Sequence, residues 1–476
     1  MISRQELMDF SGEFGLTPHI VEKDYVLGWL LAGIAHHSEL SASWIFKGGT
    51  CLKKCYFETY RFSEDLDFTV SKAEHLAQDF LIDAYQQVAA WIYEKSGIEM
   101  PGDFFSFEIY ENPRGKTSVL GRLSYRGPLK QRAPLPRIRL DITADEVLVL
   151  APIPREVHHP YSDRPMDGIM VQCYCYEELF AEKIRALSER LRPRDLYDVI
   201  HIYRHEGSEP DRMLVLDVLK KKCEFKGMPI PTIEILQNKP ELDELKSEWK
   251  NMLAHQLPIL PSFGQFWQEL PVVFEWLHAE VEKLVSAPAP PLNYKLQETW
   301  RPPAMIQAWN APVPLEIIRF AAANRLCVDL AYNNEHRLIE PYSLRMTKDE
   351  EILLYAIKHQ TGELRAYRVD RIQSARATDV LFTPRYKIEL TAAGTLSAPL
   401  VAARRVMTPA PRGFRQHKPR GTSSIQPGYG PKYIFECPLC RRKFTRKAYD
   451  SSLNPHKDKN GYDCAGRVGI FINTKY

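Results

Sequence analysis

The sequence predicts a multidomain protein: an α+β core with a helical lobe, a small all-β domain and a short zinc-binding tail. Three observations predict it. At 476 residues the chain exceeds what one hydrophobic core normally holds. Helix-like and strand-like periodicities mix up to residue 285, then give way to short strands and turns. Two breaks rich in proline separate the blocks, and the last block carries a Cys-x-x-Cys knuckle.

The first block, residues 1–285, divides into a core at about 15–200 and a helical lobe at about 201–285. Val21–Ala35 reads as a helix, and Ser43–Lys47 as the apolar strand that follows it. Leu66–Val70 and Arg137–Thr143 alternate or run apolar in the manner of strands. Tyr176–Leu191 is a helix with Phe180, Ile184, Leu187 and Leu191 on one face. Beyond Pro193 the pattern is mainly helical and closes with Phe274–Val285. A linker at 286–312 is marked by the seven prolines between Ser286 and Pro314. The second block, 313–398, has strands at 327–332, 351–357 and 364–369, broken by Asn-Asn and Thr-Gly turns. A basic linker at 399–431 leads to the tail at 432–476.

Composition narrows the class. Apolar residues make up 44% and charged residues 26%, as in globular proteins. The longest apolar run, Val26–Ala35, is too short to span a bilayer, and the N-terminus lacks signal-peptide character. No membrane association and a cytoplasmic location are therefore expected. The odd count of 9 cysteines argues against a disulfide scaffold. Residues 401–476 carry a charge of +12, which leaves −9 of the net +3 for the first 400. A basic tail on an acidic body points to a polyanionic partner; the alternative is a solvated tail.

Two clusters in the first block carry chemistry. Gly48-Gly49-Thr50 follows a strand and opens a helix, where bare backbone and helix-start amides suit a phosphate. Fifteen residues after Thr50 comes Asp65, with Asp67 two further on. On a strand, i and i+2 share a face, so the two carboxylates converge and call for a cation. Mg²⁺ or Mn²⁺ held there activates an attacking hydroxyl and stabilises leaving pyrophosphate. Asp141 is a possible third carboxylate. The second cluster holds Lys183, Arg190, Arg194, Asp195 and Asp198. Lys183 lies at the edge of an apolar stripe, where its stem packs while its ammonium reaches an anionic site. Asp195 is a second possible third carboxylate, or a helix N-cap after Pro193.

Lys47-Gly-Gly-Thr-x-Leu-x-Lys54, Arg61-x-Ser-x-Asp-x-Asp67 and Ala181-Glu-Lys183 to Arg194-Asp-Leu-Tyr-Asp198 together resemble the AbiEii/AbiGii toxin family. That family belongs to the DNA polymerase β-like nucleotidyltransferase superfamily, and the resemblance covers roughly residues 10–280. It implies a toxin restrained by a cognate antitoxin, in toxin–antitoxin or phage-defence systems. The implied reaction transfers NMP from an NTP to an RNA 3′ end, as some members do to tRNA. By the same resemblance Asp65 and Asp67 bind metal, Lys183 contacts the NTP phosphates and Asp198 completes the site. Gly48, Gly49, Thr50 and Ser63 line the phosphate side, with Lys47 and Arg61 beside them. Protein nucleotidylation uses the same site and is an alternative.

The second block resembles a WYL domain, an SH3- or Sm-like β fold that senses ligands. The residues are Asn324-Arg325, Tyr332, Arg337-Leu-Ile-Glu-Pro-Tyr342, Ile352-Leu-Leu-Tyr-Ala356 and Tyr367-Arg-Val-Asp-Arg-Ile372. The tripeptide that names the family reads Ile352-Leu353-Leu354 here. Arg337, Arg368 and Arg371 are candidate anion contacts; the alternative is salt bridging within the fold, to Glu340 and Asp370. A regulator with a nucleotide-sensing first block is the competing reading, although no helix-turn-helix is evident. In the tail, Cys437, Cys440, His456 and Cys464 have the residue types for a structural Zn²⁺. Arg441, Arg442 and Lys443, with Phe444 nearby, suit a nucleic-acid backbone.

Overall fold

The computed structural model describes residues 1–112, 114–204, 210–279, 315–346 and 351–390. In the tail it describes 432–437, 440, 442–446, 453–454, 456–457, 463–464 and 470–475. Both expected linkers and Arg441 lie outside the described residues. The chain divides into two compact units, Met1–Val401 and Ala402–Tyr476.

In the first unit, α1 (Arg4–Phe14) is capped by Ser3 and ends at Gly15 in the left-handed region. Pro18, which needs no N–H partner in a first turn, opens α2 (Pro18–His36). After α3 (Ser38–Ser43) come β1 (Trp44–Lys47) and α4 (Gly48–Cys51), which widens into a π-helical turn, Leu52–Tyr56. Then follow β2 (Asp65–Val70), α5 (Gln78–Ser96), β3 (Ser106–Glu111), β4 (Thr117–Ser124) and β5 (Arg137–Thr143). The core closes with β6 (Ile153–Glu156) and β7 (Met170–Cys173). These strands form a 7-stranded sheet in the order β3-β4-β5-β2-β1-β7-β6.

Alternation along β5 fixes the two faces of the sheet. Ile138, Leu140 and Ile142 are buried in the core with residues of α2 and α5, whereas Arg137, Arg139 and Asp141 are exposed. The lobe begins with α6 (Tyr176–Arg190), which turns through Leu191 (φ 46°) into α7 (Pro193–Arg204). It continues with α8 (Arg212–Lys226), α9 (Ile233–Gln237), α10 (Leu242–Leu253) and α11 (Phe263–His278). A buried ionic network fastens α6: Lys222 meets Glu178 at 2.9 Å and Glu182 at 3.2 Å, while Glu178 accepts from the Val149 and Leu150 amides. The last helix starts at Phe263, earlier than the expected Phe274, and runs through Pro271.

The β block contains α12 (Leu315–Ala323), β8 (Leu326–Tyr332), β9 (Glu335–Met346), β10 (Ile352–Lys358), β11 (Leu364–Arg368) and β12 (Ile372–Leu381). Its 5-stranded sheet runs β11-β10-β9-β8-β12. Leu315, Ile318 and Phe320 of α12 belong to the same buried cluster as the first block. Polar contacts join the blocks as well: Arg325 pairs with Glu269 at 3.0 Å, and Gln265 donates to the Asn324 carbonyl. The second unit holds β13 (Lys432–Glu436), β14 (Lys443–Arg446), β15 (His456–Lys457), β16 (Asp463–Cys464) and β17 (Ile470–Lys475). No helix among the described residues is long and apolar enough to cross a membrane.

Candidate active site

Strand register assembles the acidic centre. Asp67 sits opposite Lys47 on antiparallel β1 and beside Asp141 on parallel β5, and Asp65 sits beside Arg139. Because partners across a ladder point the same way, the three carboxylates share one face with Lys47 and Arg139. Gly48 makes this crowding feasible. Its φ is +79°, and a Cβ there would lie 1.9 Å from Asp67 Oδ2. A Cβ on Gly49 would lie 2.5 Å from an Arg61 guanidinium nitrogen, with Ser63 Oγ next at 3.2 Å. The paired glycines thus let the chain start its helix directly against the carboxylates.

Burial, then the Asp141 charge, pushes the Asp67 carboxyl up to about 6, with Asp65 adding to the rise and Lys47 and Lys183 opposing it. Asp141 is raised too, by desolvation first and then by Asp65, against Lys47, Arg139 and Arg190. The protein's own cations do not neutralise this centre. An all-oxygen donor set short of positive charge fits a hard divalent ion such as Mg²⁺ or Mn²⁺.

Helices α6 and α7 bring the opposing charge. Lys183 Nζ lies 2.7 Å from Asp198 and 3.7 Å from Asp195, at the edge of the Asp67 centre. Asp198 is fully buried and receives Arg61 through Nε at 2.7 Å and a terminal nitrogen at 2.8 Å. The Tyr60 hydroxyl donates to it as well. Burial alone would raise the Asp198 carboxyl; Arg61 and Lys183 outweigh that and hold it well below the usual carboxylate range.

Three expectations are corrected here. Arg61 is 2% exposed, and all three of its guanidinium nitrogens are engaged, the remaining terminal one with Gln256 at 3.0 Å, so it is a buried strut between Asp198 and Gln256 and not an open phosphate contact. Thr50 is fully buried and donates its hydroxyl to the Asp65 carbonyl; it fastens the helix start to β2. Asp195 is the third residue of α7 and so not its cap, and its carboxylate pairs with Arg190, at 2.7 and 2.9 Å, and not with the acidic centre. Asp141 is the carboxylate that joins Asp65 and Asp67. Sequence reading missed Arg139, whose signal is its place two residues before Asp141 on the same strand face. It also left Arg194 without a role. Arg194 makes no ion pair among the described residues, and its Nε is buried with no hydrogen bond. Burial and Arg61 lower its affinity for a proton, while Asp65 and Glu64 pull the other way.

The nucleotidyl transferase AbiEii toxin family, of type IV toxin–antitoxin systems, matches residues 29–275, just over half of the chain. The chain belongs to the AbiEii nucleotidyltransferase toxin family. It is thus a nucleotidyltransferase. The WYL domain family matches residues 314–377, so this AbiEii chain carries a WYL domain. Among solved structures it is similar to MenT4, a nucleotidyltransferase toxin of Mycobacterium tuberculosis H37Rv, at 16% identity and a TM-score of 0.41, covering 59% of this chain and 92% of that one. It is also similar to JHP933 of Helicobacter pylori, at 17% identity and a TM-score of 0.36, covering 57% and 96%. No curated protein matches it.

In the WYL domain two of the three expected anion contacts are corrected. Arg337 is taken by the Tyr332 carbonyl and Glu335, and Arg368 by Glu351 and Asp370. Glu340 pairs with His359 at 2.9 Å and not with Arg337. Arg371 remains exposed, without an ion pair among the described residues.

In the second unit Cys437, Cys440, His456 and Cys464 bring their ligand atoms within 4.8 Å of one another. Cys437 and Cys464 Sγ lie 3.7 Å apart, too far for a disulfide. About 3.8 Å is the edge of a tetrahedron of 2.3 Å Zn–S bonds. His456 turns Nε2 to Cys440 and Nδ1 to the Asn454 carbonyl, which orients the ring for a ligand role. The set fits a tetrahedral Zn²⁺. Arg442 and Lys443 lie exposed beside it.

Proposed function

We propose that this AbiEii enzyme transfers NMP from an NTP to the 3′ end of an RNA, with tRNA as the leading acceptor. The observation that carries the reading is the shared face of Asp65, Asp67 and Asp141 beside a helix start cleared by Gly48 and Gly49. Asp65 and Asp67 would hold Mg²⁺ or Mn²⁺, which supplies positive charge to the phosphates and the entering hydroxyl. The α4 amides and Ser63 receive the phosphate side, with Lys47 at the strand end. Lys183, held by buried Asp198, and Arg194, whose donors are unspent, neutralise the triphosphate. Asp198 is a positioning residue in this scheme. The acceptor 3′-oxygen forms its bond to the α-phosphorus as the bond to the β-phosphate oxygen breaks and pyrophosphate leaves. Asp141, on the open face and with its carboxyl raised above the usual value, takes the hydroxyl proton at its carboxylate. Zn²⁺ on the tail cysteines would be structural. In this reading a cognate antitoxin restrains the enzyme, and it works in the cytoplasm.

Incubation with Mg²⁺, each labelled NTP and total tRNA tests this. Wild type should label RNA, and Asp65→Ala/Asp67→Ala should not. Equal labelling by both refutes the site, and label on protein alone refutes the acceptor.

A further inference from the structure

Beside the acidic centre the unit presents a run of cations that the catalytic scheme leaves unused. Arg137 and Arg139 alternate with buried Ile138 and Leu140, so both stand on the open face of β5 that carries Asp141. At 3.3 Å per residue, Arg137 lies about 13 Å along the strand from Asp141. Arg139 is the register neighbour of Asp65. The Arg137 end opens into a groove of about 670 Å³ that Arg126, Lys130, Arg132 and Phe104 also line. Arg126 is paired with Glu99 at 2.6 Å. Lys130, Arg132, Arg137 and Arg139 are all exposed, and none makes an ion pair among the described residues. Elsewhere in this unit arginines such as Arg61, Arg114, Arg185, Arg190 and Arg204 are matched to carboxylates.

Contiguous unmatched cations repel one another, and a solvated face has no reason to line them up toward a catalytic centre. The first 400 residues carry a charge of −9, so a polyanion is repelled from most of this body and drawn to the track. Phe104 adds a second, independent mark. It is 55% exposed at the groove wall, on a 3₁₀ turn (Gly102–Phe104) that buries none of its side chains. An exposed ring beside a cationic groove is the arrangement on which single-stranded bases stack.

We propose that this groove and the open face of β5 bind the acceptor RNA as a single strand. In this arrangement Phe104 stacks on a base, Lys130, Arg132 and Arg137 hold successive phosphates, and Arg139 sets the last one beside Asp65. The proposal rests on the RNA-acceptor reading and extends it to a path.

The test is fluorescence anisotropy of the full chain with a fluorescein-labelled single-stranded oligoribonucleotide, without NTP, across a salt series. Lys130→Ala/Arg132→Ala/Arg137→Ala removes three exposed cations, so the slope of log affinity against log salt should fall by about 2. Phe104→Ala should weaken binding about fivefold or more and keep the slope. Lys220→Ala/Lys221→Ala, exposed on α8, should match wild type, and the basic tail contributes equally to all. Unchanged affinity and slope in the triple variant overturns the track, as does equal preference for a duplex probe. The transfer reading fails separately, if wild type binds the probe yet labels no RNA. A wild type that labels protein and binds no RNA refutes both.

Discussion

Asp198→Asn is the sharpest perturbation of the lobe. The substitution keeps shape and removes the one charge that Arg61 and Lys183 both face at 2.7–2.8 Å inside a fully buried site. Removing one partner of a buried pair costs about 3–5 kcal/mol, because the remaining cations stay desolvated. At about 2 °C per kcal/mol for a unit this large, the melting temperature should fall about 6–10 °C at pH 7. The pH dependence has a fixed sign. The folded-state carboxyl titrates well below its unfolded value, so its stabilisation is complete above the unfolded pKa of about 4 and is lost as pH falls toward the folded one. The gap between wild type and variant should therefore be constant from pH 5 to 8 and shrink below pH 4. Thermal unfolding followed by circular dichroism measures it, with the KM for NTP reporting the displacement of Lys183. A variant that melts within about 1 °C of wild type with an unchanged KM would refute the strut.

Gly48→Ala places a methyl 1.9 Å from Asp67 Oδ2 at φ +79°, so Asp67 must move; transfer should drop by at least about a hundredfold while the fold persists by circular dichroism. Arg194→Ala should raise the KM for NTP about tenfold or more with little loss of stability, since the guanidinium has no ion pair among the described residues to lose. Chelation, or Cys464→Ser, should release bound zinc and unfold the second unit, read by metal analysis and by proteolysis in the tail.

What was legible in the sequence was what repeats over short range. Asp65, Asp67 and Asp141 could be placed because a two-residue period assigns a strand face without any knowledge of the neighbours. The four tail ligands were legible by residue type and by the Cys-x-x-Cys knuckle, and the structure brings them together. The errors fell where a charged side chain finds its partner across the fold. Arg61 reaches Asp198, 137 positions away, and no local pattern distinguishes such a strut from a phosphate ligand. Arg190 and Asp195 are only five apart, yet the left-handed Leu191 turn between α6 and α7 sets their meeting, and that turn lacks the usual glycine. Thr50 was misread because its hydroxyl serves a carbonyl of the next strand, a contact that only the register reveals.

The strain in the acidic centre gives a last prediction. With its carboxyl raised from 3.8 to about 6, Asp67 in the metal-free protein favours the fold only while protonated. That contribution is present below about pH 4 and is lost as pH rises through about 6, a change of up to ~3 kcal/mol. A divalent ion bound to the ionised pair reverses the penalty, since it supplies the charge that Lys47 and Lys183 do not. Mg²⁺ should thus raise the melting temperature clearly at pH 7.5 and hardly at pH 5, by differential scanning fluorimetry. In Asp65→Asn/Asp67→Asn the Mg²⁺ response should vanish, and the metal-free variant should be more stable than metal-free wild type at pH 7.5. If instead the variant is less stable there, or Mg²⁺ stabilises it as well as wild type, the pair is not the metal seat and its elevated carboxyl serves the fold.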